Sequence, residues 1–205
     1  MARPTIAVLD YGMGNLHSVA RAIAHVGGTP DVTHDDAAVA SADALVIPGV
    51  GHFGACMHAL AREGLDRGIR DFVATGRPVF GVCLGMQVLL EASDEDTEPG
   101  LGIVHGRSRR LPESVKVPHM GWNDVTWIAH HAYVDGLPDG TRFYFVHSYA
   151  PDIETDTTVG VTEHGRPFAA VVASGNVFAT QFHPEKSSEA GLTIYAAFVK
   201  RVAAA

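Results

Sequence analysis

Apolar runs of strand length alternate with helical patterns along the first half of the chain, and this alternation constrains the possible folds most strongly. Uninterrupted apolar runs are typical of strands that are covered on both faces. Strands separated by helices predict βαβ units in a mostly parallel sheet. The predicted strands are residues 5–10, 44–48 and 78–82, and the predicted helices are a segment that Asn15 caps and that ends at Gly27, residues 65–75 and residues 84–92.

After about Gly100 the pattern changes to short β-type segments joined by turns, followed by an amphipathic helix over residues 188–204 with Ser187 or Ser188 as its cap. The acidic stretch 93–100 is predicted to be an exposed loop, and no change in composition resembles an interdomain linker. We therefore expect residues 1–205 to form a single α/β domain, with an open, mostly parallel or mixed sheet flanked by helices. The predicted β segments are 102–111, 115–127, 141–149, 158–162, 168–173 and 177–182.

Composition argues against several classes of protein. Hydrophobic residues make up 46% of the chain, so a sizeable core can form, and the net charge of −8 argues against a nucleic-acid-binding face. No run approaches the roughly 18 apolar residues that span a bilayer. The short apolar run at the N-terminus is interpreted as a strand rather than a signal peptide. The two cysteines, Cys56 and Cys83, are too few for a disulfide scaffold, which favours a reducing cytoplasm.

Cys83 lies where a predicted strand runs directly into a predicted helix, with Gly81 and Gly85 two residues away on either side. This is the G-x-nucleophile-x-G elbow, with cysteine in place of serine. The start of the helix favours thiolate over thiol, and the amide of Leu84 points into the site as a potential oxyanion donor. Taken alone, the pattern equally fits a small buried hydrophobe. That second interpretation is the one we adopt for Cys56, which has no such context.

His183 and Glu185 follow the last predicted strand, at the edge of an open α/β sheet where sites form. A nucleophilic thiolate needs a histidine within hydrogen-bond reach and a third group that orients it. Pro184 favours an extended backbone at His183, and Glu185 is near enough in the chain to accept the imidazole N–H. A surface turn with two polar residues is the alternative. Because Cys83 also lies at the C-terminal end of a strand, we favour a Cys83–His183–Glu185 triad.

The loop 49–54 (GVGHFG) formally matches the G-x-G-x-x-G fingerprint of dinucleotide-binding proteins. It fits that class poorly, because it follows a later strand, Pro48 precedes it, and a helix occupies the place of the second strand with its acidic end. Backbone amides of this loop can instead supply a second oxyanion donor. No metal is expected, because His130 and His131 are adjacent and point apart and no H-E-x-x-H or paired-cysteine spacing occurs. No cofactor is expected either.

Two segments together, 81–87 (GVCLGMQ) and 182–185 (FHPE), resemble class I (triad-type) glutamine amidotransferases. Three further segments, 10–16 (DYGMGNL), 48–54 (PGVGHFG) and 118–123 (PHMGWN), resemble the glutaminase subunit family of imidazole glycerol phosphate synthase, and 183–187 (HPEKS) fits it as well. The resemblance extends from Ile6 to the C-terminal helix and shows no departure at the triad. It implies the class I amidotransferase fold with a nucleophile elbow.

The resemblance also implies roles for individual residues. Cys83 would attack the side-chain amide of glutamine, His183 would act as base and then protonate the departing ammonia, and Glu185 would orient His183. The amides of Val50 and Leu84 would hold the oxyanion. The glutamine-binding positions would be Gly49, Gly51, Gln87, Ser148 and Tyr149.

The same resemblance implies a partner. Ammonia would pass to a separate cyclase subunit, which is a (β/α)₈ barrel, forms a heterodimer with this chain and makes imidazole glycerol phosphate in histidine biosynthesis. The chain has no second domain of about 200 residues to serve as that barrel. Positions at the cyclase-facing side would be Asn15, Trp122, Asn123 and Lys186, although a solvated lysine is the plain alternative for Lys186. The isolated subunit would hydrolyse glutamine slowly.

Two alternative functions remain. One is a glutaminase for another acceptor, such as the glutaminase subunit of pyridoxal phosphate synthase, against which the segment 118–123 and Lys186 argue. The other is a non-catalytic binding module that keeps the fold, against which the intact triad argues.

Overall fold

A nine-stranded sheet forms the centre of the molecule, and its two halves are built differently. This architecture comes from a computed structural model that describes residues 3–204. One half of the sheet is parallel throughout. In spatial order, and numbered along the chain, its strands are β2 (Thr29–Thr33), β1 (Thr5–Leu9), β3 (Ala44–Gly49), β4 (Val79–Cys83) and β12 (Val177–Thr180).

The other half continues from β12 with antiparallel strands. A separate three-stranded sheet packs beside it and brings Tyr149 close to the end of the antiparallel half. The antiparallel strands are β11 (Pro167–Ser174), β10 (Thr158–Glu163), β7 (His119–Trp127) and the edge strand β8 (Thr141–His147), and the small sheet consists of β5 (Ala92–Ser93), β6 (Arg107–Arg110) and β9 (Tyr149–Pro151).

Helices cover both faces of the parallel half, which explains why β1, β3, β4 and β12 are largely apolar and buried along almost their whole length. Successive residues of β1 face opposite sides: Ile6 and Val8 join the core beneath α1 and α6, whereas Ala7 and Leu9 join the core beneath α2 to α5. Among residues 3–204, no helix combines the length and the apolar character needed to cross a bilayer. The helices are α1 (Leu16–His25), α2 (Asp36–Ser41), α3 (Phe53–Arg62), α4 (Leu65–Ala74), α5 (Leu84–Leu89) and α6 (Ser188–Val202).

The predicted mixed α/β fold is confirmed, and the predicted strands at residues 5–10, 44–48 and 78–82 match β1, β3 and β4 to within a residue at each end. The pattern did not predict β2, α2 or α3. The predicted helix 84–92 is too long, because the backbone amides of Leu101 and Ile103 donate to the carbonyls of Val88 and Leu89 and end α5 there. The predicted strand 102–111 is reduced to β6.

The edge strand β8 is held by the turn 183–187, which follows β12. The amide of His183 donates to the carbonyl of Tyr144 at 2.9 Å, and the amide of Tyr144 donates to Ser187 Oγ at 2.9 Å. Ser187 Oγ in turn donates to the carbonyl of His183 at 2.7 Å. Ser187 occupies the N-cap position of α6, but its side chain fixes this turn and does not cap the helix as predicted.

Candidate active site

Cys83 is the last residue of β4 and the N-cap of α5, and the chain reverses direction sharply there. Its backbone has φ of 55° and ψ of −111°, a conformation that residues other than glycine rarely adopt and that is typical of a nucleophile elbow. The flanking glycines permit the close packing. A Cβ on Gly85 would lie 1.8 Å from the carbonyl oxygen of Ile47, and one on Gly81 would lie 2.9 Å from the carbonyl oxygen of Gly85.

His183 and Glu185 lie beside this elbow because β12 is the parallel neighbour of β4, so the C-terminal ends of both strands meet at one edge. The Nδ1–H of His183 donates to Glu185 Oε1 at 2.8 Å, and both side chains are buried. This contact leaves Nε2 as the nitrogen that is available to Cys83 and to a substrate; among the described residues it has no hydrogen-bond partner. The arrangement is the base-and-orienter geometry of a triad.

The electrostatic environment of His183 favours its protonated form. Burial by itself lowers the pKa of this histidine, but the attraction of the neighbouring Cys83 and the hydrogen bond to Glu185 outweigh burial and raise the pKa to about 10. At neutral pH the imidazole therefore carries a proton that it can give to a leaving group.

Glu185 has a second contact, which the sequence did not predict. Asn15 Nδ2 donates to Glu185 Oε1 at 3.4 Å. Asn15 does occupy the N-cap position of α1, as predicted, but its side chain makes no capping hydrogen bond. Instead, it connects the start of α1 to the carboxylate that orients His183.

An open cavity of about 350 Å³ lies over Cys83, within the size range of small-molecule sites. Gly49 does not line it; this residue packs below, where a Cβ would lie 2.7 Å from the amide nitrogen of Gly85. The predicted residues that do line the cavity are Val50, Gly51, Cys83, Leu84, Gln87, Ser148 and Tyr149.

Glu95 also lines this cavity, and sequence reasoning assigned it only to an exposed acidic loop. Its Oε2 accepts the backbone N–H of Phe53 at 2.8 Å, so this carboxylate caps the N-terminus of α3 from a distant part of the chain. An acidic stretch without strand or helix pattern gave no local signal for this role.

Gln87 is held by hydrogen bonds within the protein. Its Nε2 donates to the carbonyl of Tyr149 at 3.0 Å and to Gln181 Oε1 at 2.8 Å. Gln181 Nε2 in turn lies 3.7 Å from Cys83 Sγ, as a donor to sulfur. Gln181 is fully buried and follows β12 directly; sequence reasoning missed it, because it lies within the predicted strand 177–182 without any distinguishing signal.

The predicted partner-facing residues fall into two groups. Trp122 is 45% exposed, and its ring centroid lies 6.4 Å from that of Tyr144. The ammonium of Lys186 lies 6.0 Å from the centroid of the same Tyr144 ring. Met120, on the same face of β7 as Trp122, is 62% exposed. Asn123 lies on the opposite face, where Nδ2 donates to the carbonyl of Glu163 at 2.9 Å.

Other chemical groups lie apart from this cavity. Cys56 is fully buried, and burial raises its pKa to about 12, as suits an inert core thiol. His131 stacks on Phe178 beside a cavity of about 500 Å³ at the amino ends of β4 and β12. One cluster with metal-ligand chemistry occurs in the described part of the chain, on the surface: His105, Glu154 and Asp156, with ligand atoms within 4.8 Å of one another.

These features define a cysteine amidotransferase-type site, and comparison with known proteins agrees. The family described as "Glutamine amidotransferase class-I" matches residues 7–202. The chain therefore belongs to the class-I glutamine amidotransferase family, which confirms the resemblance seen in the motifs.

Within that family, close relatives share one name, "Imidazole glycerol phosphate synthase subunit HisH". The protein of that name from Symbiobacterium thermophilum is 50% identical over 198 residues, covering 96% of this chain and 92% of the relative. The one from Nostoc punctiforme is 45% identical over 204 residues, covering 97% of each chain.

Solved structures support the fold. A GMP synthase subunit from Thermoplasma acidophilum superposes with a TM-score of 0.77 at 20% identity, covering 100% of this chain and 96% of that one. The glutaminase domain of a Trypanosoma brucei CTPS gives 0.69 at 19% identity, covering 98% and 94%.

Proposed function

We propose that this chain is the glutaminase subunit of an imidazole glycerol phosphate synthase. It hydrolyses glutamine to glutamate and ammonia, and it delivers the ammonia to a cyclase subunit in histidine biosynthesis. The observation that carries the proposal is the juxtaposition of Cys83 at a strained elbow with a buried His183–Glu185 pair at the end of the neighbouring strand. The shared name of relatives at 45–50% identity selects this acceptor.

The reaction proceeds in two halves. Cys83 passes its thiol proton to His183, Sγ bonds to the carboxamide carbon of glutamine, the C–N bond breaks, and His183 gives the proton to the departing ammonia. The product of this half is a thioester between Cys83 and the glutamyl group. His183 then takes a proton from water, which attacks the thioester and releases glutamate and the free thiol. Glu185 holds the imidazole in the orientation that both halves need.

Two backbone amides stabilise the negative charge that develops on the substrate oxygen. The amide of Leu84 lies at the start of α5, where helix N–H groups have no intrahelical partner. The amide of Val50 comes from the loop after β3, which borders the same cavity.

Glutamine binds in the cavity over Cys83. Gly51, Gln87, Ser148 and Tyr149 form its walls, and Gly49 supports it from below. We assign Glu95 to the α-ammonium group of glutamine, because it is the carboxylate among the lining residues.

The partner is a cyclase subunit with a (β/α)₈ barrel, which pairs with this chain as a heterodimer. The apolar surface formed by Met120 and Trp122 beside Tyr144 and Lys186 is the docking face, since exposed apolar groups of this kind mark interfaces. Asn15 belongs to the same side through its contact with Glu185. We also propose that residues 1–205 act as one domain, and that the protein works in the cytoplasm, where free thiols persist.

Replacement of Cys83 by alanine tests the proposal. In the complex with its cyclase, Cys83→Ala should abolish glutamine-dependent formation of imidazole glycerol phosphate, while added ammonium salts should still support it. Both activities are measured by formation of the cyclase product, and Cys56→Ala is the matched control because that thiol lies in the core. Glutamine-dependent turnover by Cys83→Ala would refute the nucleophile, and turnover with a different acceptor enzyme only would refute the cyclase partner.

A further inference from the structure

Two buried histidines that the mechanism above does not use lie next to the glutamine cavity. His119 is the first residue of β7 and His147 is the last residue of β8, and the two are cross-strand partners. They are 5% and 7% exposed, respectively. His119 Nδ1 lies 3.0 Å from His147 Nε2, so the rings are hydrogen-bonded directly to each other.

The two histidines are part of a hydrogen-bond chain. The group at each end of this hydrogen-bond chain has a fixed role as donor or acceptor, so the direction of every hydrogen bond within it is determined. One amide atom of Asn123 lies 2.9 Å from the carbonyl oxygen of Glu163, which identifies that atom as the nitrogen, Nδ2. Nδ2 also donates to His119 Nε2 at 3.2 Å. At the other end His147 Nδ1 lies 2.9 Å from the carbonyl of Tyr149, to which it can only donate.

Only one assignment of protons satisfies both ends. His119 Nε2 accepts, so its proton is on Nδ1 and is donated to His147 Nε2. His147 therefore also has its proton on Nδ1. Both rings are neutral, in agreement with burial, which lowers the pKa of His119 to about 4 and that of His147 to about 3.

The hydrogen-bond chain ends on a carbonyl group that borders the active-site cavity. The oxygen of Tyr149 accepts from His147 and also from Gln87, whose amide continues through Gln181 to Cys83 Sγ. One continuous set of hydrogen bonds thus joins Asn123 on β7 to the nucleophile, and the Tyr149 carbonyl lies at its centre.

We infer that His119 and His147 are positioning residues, which hold the Ser148–Tyr149 segment and Gln87 in the arrangement that binds glutamine. This inference rests on the proposed function and deepens it. If the rings served only for packing, their shape alone would matter. The hydrogen-bond chain, in contrast, needs a donor at His147 Nδ1 and an acceptor at Nε2.

Kinetics of the complex with the cyclase distinguish these two roles. His147→Phe keeps a ring but removes both the donor at Nδ1 and the acceptor at Nε2, and it should raise KM for glutamine about tenfold, as expected when the buried hydrogen bond to the Tyr149 carbonyl is lost. His147→Asn places an amide near the position of Nδ1 and should restore KM to within about threefold of the wild-type value. Ammonia-dependent activity should be unchanged in both variants. His131→Phe is the matched control for replacing a ring, because this histidine lies at the amino ends of β4 and β12, away from the glutamine cavity.

An unchanged KM in His147→Phe would overturn the inference, and so would an equal rise in both His147 variants. Wild-type and Cys83→Ala activities are measured alongside, so that failure of the glutaminase function itself is recognised separately. Thermal unfolding shows whether each variant folds.

A measurement on the wild-type protein keeps the inference testable if the variants are unstable. Long-range ¹H–¹⁵N NMR of the imidazole rings at neutral pH should show Nδ1 protonated and Nε2 unprotonated for both His119 and His147. Protonation of Nε2 in either ring would overturn the inference, because the hydrogen bonds could not then be continuous from Asn123 to Tyr149.

Discussion

His183 shows how its surroundings adapt an ordinary histidine to acid–base chemistry. Burial opposes charge on the imidazole, yet Cys83 on one side and Glu185 on the other raise its pKa to about 10. The hydrogen bond from Nδ1 to Glu185 fixes the ring and leaves Nε2 as the nitrogen available to Cys83. Asn15 adds a further contact to the carboxylate, so that residues from α1, β4 and the turn after β12 all contribute to one imidazole.

The raised pKa of His183 predicts how stability depends on pH. Between the ordinary value of 6.5 and about 10, the folded protein keeps a proton that the unfolded chain releases. The stabilising contribution is therefore complete below pH 6.5 and is lost as the pH rises toward 10. We expect the free energy of unfolding, measured by urea denaturation, to fall over this range, and to fall less in His183→Gln. Equal slopes for the two proteins would contradict the prediction.

We assign two roles to Glu95, and substitution can separate them. Glu95→Gln keeps an oxygen for the amide of Phe53 but removes the charge that we assign to the ammonium group of glutamine. We expect KM for glutamine to rise about tenfold, while the free energy of unfolding changes by less than about 1 kcal/mol. Glu95→Ala should lose about 1 kcal/mol of stability in addition, through the lost cap. Steady-state kinetics and urea denaturation measure the two effects.

At the scale of elements, the elbow between β4 and α5 depends on how closely α5 approaches β3. Gly85 lies so near Ile47 that a methyl group has no room, whereas Gly76, just after α4, has open space around its Cα. The close approach of helix and strand therefore requires glycine at this position of the elbow, whereas an ordinary turn has room for a larger residue.

We predict that Gly85→Ala lowers the free energy of unfolding by about 3 kcal/mol or more, because its Cβ would collide with the carbonyl oxygen of Ile47. Gly76→Ala is the matched control. Its φ of 78° makes alanine strained, but only by about 1 kcal/mol, because no atom is in the way. Chemical denaturation of both variants checks the difference, and comparable losses would show that backbone strain alone matters.

The elements that could be predicted from the sequence are those whose signals are local. The apolar runs of β1, β3 and β4 and the glycines around Cys83 are visible in short windows, and they predicted most of the parallel half and the sharp strand-to-helix turn at Cys83. The missed elements lack such signals. Strand β2 is a half-exposed edge strand that contains Pro30, and α2 has only six residues.

Long-range contacts explain the remaining differences. Helix α3 begins inside a glycine-rich loop, and its N-terminus is capped by Glu95, which lies 42 residues further along the chain. Gln181, His119 and His147 form their hydrogen bonds only when separate strands come together, so short stretches of sequence do not reveal them. Asn15 was predicted to cap its own helix and instead reaches Glu185, 170 residues away.

For the whole molecule, the change from parallel to antiparallel strands separates two tasks. The parallel half supplies the strand ends at which Cys83, His183 and the loop 49–54 lie, as in other open α/β sheets. The antiparallel half extends one side of the cavity and presents Met120 and Trp122 to the outside.

We predict that Trp122→Ala weakens binding of the cyclase by about 30-fold, as expected for an aromatic anchor at the centre of an interface. The matched control is Val32→Ala, since Val32 is 44% exposed on the opposite edge of the sheet. Isothermal titration calorimetry with the purified cyclase measures both affinities. Equal affinities for wild type and Trp122→Ala would place the docking face elsewhere.

The hydrogen bonds between Tyr144 and the turn 183–187 also bear on aggregation. A free edge strand offers N–H and C=O groups on which another chain can add a strand. On β8 the turn that carries His183 occupies the amide and the carbonyl of Tyr144. The same turn thus protects the sheet edge, so substitutions at Ser187 that loosen it expose a surface for intermolecular pairing. A loss of activity in such variants that grows with protein concentration would reflect self-association rather than altered chemistry.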